Sequence, residues 1–356
     1  MSQPPRNVVE IAQRRVAARA DRDFEAADRL RQELVRAGWD VYDTPGGGFE
    51  LTERPHYEVW PSVRSIPVSS IVEGRPPGDP DPKSTVPYPG SITETALNDA
   101  GTPSMAASQA LWDGAIATSR VDRQIDIPKL TASVALLVDG WPDDLRACVA
   151  ALLAHSDAGV IALDLGNVDG AGDVLHELAE ANPDRVRAWH VAEKPHWAGG
   201  TAEWGPARTK LLQLDTADVH VVMETSTILE GDAIRPLLRA LEIPDVVGAG
   251  WKGVEPEPGG TEWRDAGGGE VPALLGYLFA VNRAKALGVG GFPEHARFYR
   301  NADLEFSLML PGRLVVPEKD LPVRQARHRG YFDTDARYRD EESKRTYDRV
   351  LDLLRR

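Results

Sequence analysis

From residue 130 onward the chain alternates between short apolar runs and stretches in which apolar residues recur every three or four positions. Ala132 to Val138 is an apolar run of strand length ending in Asp139. Pro142 then suits the first turn of a helix that carries Leu145, Val149 and Leu152 on one face. Gly159 to Leu165 repeats the strand pattern, and Val174, Leu175 and Leu178 stripe a second helix. Val186 to Val191, Val219 to Met223 and Asp245 to Gly250 read as further strands, with helices near 205–214 and 232–241. Near-continuously apolar strands alternating with helices predict an α/β fold, a mostly parallel sheet covered on both faces. Ligands of such sheets bind beyond the carboxyl ends of the strands. That rule singles out Asp139, Asp164 and Glu224.

The first third has a different rhythm. In residues 7–37 Ile11, Val16, Phe24, Ala27, Leu30 and Leu34 follow helical spacing, with Asp23 as an N-cap and Gly38 closing the second helix. Nine prolines fall between Pro55 and Pro89, a density that breaks regular structure and predicts an extended linker anchored by Tyr57 and Trp60. Residues 91–125 are weakly helical around Met105 to Ile116. Three parts are therefore expected: a small helical module over 1–55, a Pro-rich and irregular segment over 56–128, and an α/β domain over 129–356.

Composition narrows the functional classes. A net charge of -14 and a pI near 5.1 argue against a general nucleic-acid or anionic-membrane binder. Within residues 1–55 nine arginines face ten acids, so tRNA is not the expected partner of that module. The single cysteine, Cys148, precludes an internal disulfide and reads as a small core residue. No apolar run approaches a bilayer span and no signal-like core follows Met1, so a cytoplasmic protein is the default expectation.

Several motifs recur in a suggestive order. They are Val160-Ile-Ala-Leu-Asp164-Leu-Gly-Asn167-Val-Asp169-Gly170, Gly200-Thr-Ala-Glu-Trp-Gly-Pro-Ala-Arg208, Glu224-Thr225-Ser226 after an apolar strand, Gly290-Gly-Phe-Pro-Glu294, Arg300-Asn-Ala-Asp303-Leu-Glu305, and His328 in Arg-His-Arg-Gly. Together, over roughly residues 131 to 350, they resemble glycosyltransferase family 2 of the GT-A fold. The resemblance implies a nucleotide-sugar donor, UDP- or GDP-linked, an unidentified acceptor and an inverting reaction. It implies Asp303 as the base that deprotonates the acceptor, with Glu305 beside it. Asp139, Asp164, Asp169, Arg208, Glu224 and Glu305 are implied on the donor. Family members carry a metal-binding Asp-x-Asp where this chain has Glu224, Thr225 and Ser226. A divalent ion, Mg or Mn, would then rest on Glu224, Ser226 and His328. Three readings stay open: a reduced metal site, charge compensation by Arg208 or Lys210 without metal, or a catalytically degenerate fold kept as a binding or scaffold protein.

The first 55 residues carry a second resemblance. Arg19-Ala-Asp-Arg-Asp23-Phe24-Glu-Ala-Ala-Asp28-Arg-Leu-Arg31-Gln-Glu-Leu34, then Gly38 and Asp43-Thr44-Pro45-Gly46, are similar to the C-terminal end of cysteinyl-tRNA synthetase. None of the synthetase's catalytic motifs accompanies them, which excludes aminoacylation.

Overall fold

A computed structural model describes residues 4–68, 130–257, 262–317, 320–326 and 333–355. The weakly helical stretch around Met105 to Ile116, most of the proline series and His328 lie outside the described residues.

The chain opens with helices α1 (Arg6–Ala20) and α2 (Phe24–Arg36), followed by an antiparallel hairpin of β1 (Trp39–Thr44) and β2 (Gly48–Glu53). Asp23 caps α2, its carboxylate accepting the Ala26 N–H at 3.0 Å, and Gly38 closes it at a positive φ of 81°. The hairpin is an addition to the helical expectation. It supplies the apolar surface two short helices lack: Trp39 and Val41 pack on Val8, Ala12 and Leu34. Arg15, almost fully buried, bridges to Asp43 at 2.6 and 3.1 Å and holds that carboxyl below its ordinary range.

Beyond residue 130 come β3 (Ala132–Val138), α3 (Pro142–His155), β4 (Gly159–Leu165), α4 (Ala171–Ala181), β5 (Val186–Val191), α5 (Trp204–Leu214), β6 (Val219–Met223), β7 (Thr227–Leu229), α6 (Ile234–Leu241) and β8 (Val246–Gly250). Short strands β9 (Gly253–Pro256), β10 (Trp263–Asp265), β11 (Gly269–Val271) and β12 (Ala273–Leu274) lead to β13 (Leu278–Asn282). Then follow α7 (Arg283–Gly288), α8 (Ala302–Met309), β14 (Arg313–Val316), β15 (Val323–Gln325) and α9 (Ala336–Leu354). The central eight-stranded sheet has the order β11-β14-β8-β13-β6-β3-β4-β5. β3, β4, β5 and β6 run parallel, whereas β13 is antiparallel to both its neighbours, β6 and β8.

Period-two alternation sends β3 side chains to opposite faces. Val134, Leu136 and Val138 join a core under α3, α4 and α6, while Ala135 and Leu137 pack with Ala207 and Leu211 of α5. Covering both faces is what the unbroken apolar strands demanded. Among the described residues no helix is long and apolar enough to cross a membrane.

The segment after the hairpin is laid along the β5 edge. Trp60 donates its N–H to His190 O and accepts from Ala192 N, each at 2.8 Å, and Val63 and Ile66 enter the core beside β3 and β4. The Gly267-Gly-Gly269 stretch leads into β11, which pairs with β14.

Candidate functional site

The chain runs outward through β3, β4 and β5, then crosses back to set β6 on the other side of β3, so a switch point opens between the carboxyl ends of β3 and β6. Asp139 follows β3 and Glu224 follows β6. Asp303 reaches the same place from the first turn of α8. Its Oδ2 accepts the Gly276 N–H at 2.7 Å and its Oδ1 the Leu304 N–H at 2.9 Å. Glu224 senses both of the other carboxyls. Burial, set against the Arg208 charge and reinforced by Asp303 and Asp139, lifts Glu224 to about 7. Burial also lifts Asp303 to about 6, with its backbone donors and Arg300 acting in the opposite direction. Asp139 is raised by burial and restrained by a 3.0 Å bond from Trp197 Nε1 and by Arg208.

Arg208 explains how this acidic group is tolerated. Its guanidinium, buried beneath the site, donates to Ala135 O at 2.9 Å and Met223 O at 3.3 Å. It thus ties β3 to β6 while facing Glu224 and Asp139, and desolvation brings it down to about 10, still protonated at neutral pH. Arg208 is thus a buried counter-charge to Glu224 and Asp139. Lys210 is likewise spent, donating to Ile66 O at 2.8 Å.

Aromatic residues that sequence reasoning passed over line the same hollow. Tyr277 is pushed up to about 12 by burial and by Glu224 and Asp303, and its carbonyl accepts the Glu224 N–H and the Thr227 hydroxyl. Tyr299 is raised by burial and by Glu224. Trp141, in the left-handed region at φ 53°, stacks on Trp197 with centroids 5.3 Å apart. A non-glycine residue held there is unusual and marks a constrained turn at the mouth of the site. The two tyrosines lie in no motif that the sequence displays.

Other expected residues go elsewhere. Asp164 is almost fully buried: its Oδ1 accepts the Asn167 N–H at 3.1 Å and its Oδ2 lies 3.3 Å from His190 Nδ1. The Tyr57 ring covers His190 at a centroid distance of 4.0 Å, and its hydroxyl donates to Asp173 at 2.8 Å. Asp164 therefore organises the loop after β4. Asp169 is exposed on that loop, and its carboxylate flanks Gly140, next to Asp139. Glu305 turns the opposite way, into α9, where Arg349 Nε donates to it at 2.8 Å in an ion pair that docks α8 on α9. Helical geometry requires this, because residues two apart point to different faces.

Ser226 hydrogen-bonds Glu224, and its carbonyl accepts the Ala326 N–H at 2.9 Å where β15 pairs with β7. His328 lies outside the described residues. Among the described residues no three His, Cys, Asp or Glu side chains group closely enough to hold a metal ion. Of the expected ligands Glu224, Ser226 and His328, the first two are described, and of these only Glu224 supplies a carboxylate. The described donor set does not fit a divalent ion.

No protein-family model matches the chain. A 43-residue stretch, 12% of the chain, is 49% identical to cysteine–tRNA ligase from Nitratidesulfovibrio vulgaris (strain DSM 19637 / Miyazaki F), of which it spans 9%. Among solved structures, GalNAc-T7 with UDP, GalNAc and Mn2+ is similar at a TM-score of 0.51 and 15% identity, over 64% of this chain and 48% of that one. Mannosyltransferase PcManGT from Pyrobaculum calidifontis, in complex with GDP-Man and Mn2+, aligns at 0.45 and 15% identity, over 70% and 76% of the two chains. The chain thus spans about half of GalNAc-T7 and a small fraction of the ligase. At this identity the likeness concerns the fold: a mixed α/β, GT-A-like architecture whose large central sheet is flanked by helices.

Proposed function

We propose that this chain is a glycosyltransferase, akin to family 2, that moves a sugar from a UDP- or GDP-linked donor to an acceptor hydroxyl with inversion. The observation that carries the reading is the convergence of Asp139, Glu224 and Asp303 at the switch point, balanced by Arg208 from below. In the reaction the acceptor oxygen bonds to the anomeric carbon, the bond from that carbon to the diphosphate breaks, and the acceptor proton passes to Asp303. A carboxyl held at about 6 is ionised at neutral pH and more basic than an ordinary aspartate, the compromise general-base catalysis favours. The Gly276 and Leu304 N–H groups fix its orientation, and each oxygen keeps a lone pair for the incoming hydroxyl. Tyr277, Tyr299 and the Trp141–Trp197 pair wall the hollow with flat surfaces suited to a base or sugar ring.

Isothermal titration with UDP, GDP and their sugars tests the donor assignment. Binding to at least one is expected, and silence toward all at millimolar ligand would remove it. The replacement of the usual second carboxylate by Ser226 favours a second reading, a degenerate fold kept for recognition. Asp303→Asn separates the two: a transferase loses turnover by about 10²- to 10⁴-fold while still binding nucleotide, whereas a scaffold is indifferent.

A further inference from the structure

Asp139 and Glu224 are placed by the strands they follow, but Trp197 stands outside any strand, in the single helical turn His196–Ala198 between β5 and α5. Its indole Nε1 donates to Asp139 at 3.0 Å and its ring stacks on Trp141, so the seat of Trp197 decides where the Asp139 carboxylate points. Backbone bonds close this turn on itself. His196 N–H donates to Ala202 O at 2.8 Å, Ala202 N–H to Lys194 O at 2.9 Å and Gly200 N–H to Pro195 O at 3.0 Å. A displacement of His196 therefore carries Trp197 with it.

His196 is itself seated by α9. Tyr338, in the first turn of that helix, has its N–H held by the Asp335 cap at 2.9 Å. Its hydroxyl lies 2.9 Å from His196 Nδ1, and its ring lies on the imidazole with centroids 5.4 Å apart and planes 23° from parallel. The same ring meets Phe298 edge-on at 5.9 Å, and Phe298 packs on Tyr299 at 4.4 Å. One residue of α9 thus touches both the turn that carries Trp197 and the segment that carries Tyr299. Arg297 adds a second tie, donating to Glu203 at 2.9 Å and lying 3.9 Å from Glu342, one turn beyond Tyr338. We propose that Tyr338 is a positioning residue: through His196 it fixes Trp197 against Asp139, so that the seating of α9 sets the shape of the hollow and its affinity for a nucleoside diphosphate. A hydrogen bond and a ring stack acting together restrict the imidazole more than either alone, and a site is only as well ordered as the groups that support it. The consequence for the nucleotide rests on the donor-site reading above; the positioning of Trp197 does not.

The test follows the indole N–H signal of Trp197 by nuclear magnetic resonance in the full chain, labelled at tryptophan nitrogen and assigned among its nine tryptophans with Trp197→Phe. UDP and GDP are titrated into the same samples. Tyr338→Leu is expected to shift or broaden the Trp197 signal and to weaken the diphosphate by about tenfold. Tyr338→Phe keeps the ring and loses only the hydroxyl, so it should give a smaller displacement in the same direction and a loss of about two- to fivefold. Val350→Ala, which removes buried contacts with Leu304 and Val254 farther along α9, should lower the melting temperature and leave the Trp197 signal in place. A Trp197 signal untouched by Tyr338→Leu, or moved as far by Val350→Ala, overturns the proposal, and so does a displaced signal with unchanged affinity. If the leucine variant does not fold, Tyr338→Phe decides, and a signal and affinity equal to wild type overturn it. Failure of wild type to bind either nucleotide removes the donor-site reading, and the Trp197 signal still decides the positioning.

Discussion

At the scale of single residues, Glu224 is the group whose environment and ordinary chemistry disagree most. Its carboxyl titrates near 7 in the fold against an ordinary 4.5, because burial beside Asp303 and Asp139 outweighs the help of Arg208. A raised acid contributes stability that is complete below 4.5 and is lost as pH climbs through 7. Glu224→Gln, which cannot ionise, should therefore melt higher than wild type at pH 8, by about 1–3 kcal/mol, and match it near pH 4.5. Equal melting curves at both pH values would contradict the burial described. Such a gain in stability is common where a site holds charge for function. The sequence placed Glu224 and Asp303 at element ends, yet could not disclose Tyr277 or Tyr299. Both lie in segments without a motif, and only the antiparallel return of β13 beside β6 brings Tyr277 to the Glu224 backbone. The pairing of Asp164 with His190 was equally hidden, since only the register of β4 on β5 sets the two side by side.

At the scale of elements, two motifs seen separately in the chain prove to be one joint. Gly205, at the start of α5, donates its N–H to Ala296 O at 2.8 Å, and Phe292 N–H donates to Thr209 Oγ1 at 2.9 Å. A β-carbon at position 205 would sit 1.9 Å from Pro293 O, a backbone atom that cannot swing away. Gly205→Ala should thus destabilise the protein by about 1–3 kcal/mol or more, read from urea denaturation. Because α5 carries Arg208, the same change should also weaken nucleotide binding. The strands β3 to β6 were legible since each is a single apolar run. The shorter β9 to β12 were not, being two to four residues long and rich in glycine and polar residues. Their pairing is a tertiary outcome that no local pattern encodes. The strap from Tyr57 to Ile66 was visible only as anchors in a proline-rich stretch, but Ile66 is as buried as any core residue. Ile66→Ala should cost about 2–5 kcal/mol in thermal or chemical unfolding, a penalty foreign to a loose linker.

At the scale of the whole molecule, the fold explains why an acidic protein can still present a site for an acidic ligand. Overall charge is -14, yet the carboxyls at the switch point have the guanidinium of Arg208 beneath them. Long-range attraction is not available, so donor affinity should depend only weakly on ionic strength, unlike a nucleic-acid interface. The N-terminal unit has its own core of Val8, Ala12, Leu34, Trp39 and Val41. Its sequence kinship with the ligase covers 12% of the chain and supplies no residue of the hollow. Strand order, by contrast, was never readable from the chain, since the reversal between β3 and β6 that creates the hollow is a property of topology. The most direct test of the account is a crystal structure with UDP or GDP bound. The diphosphate should lie at the carboxyl ends of β3 and β6, among Asp139, Glu224 and Tyr277; a nucleotide seated elsewhere on the molecule would contradict it.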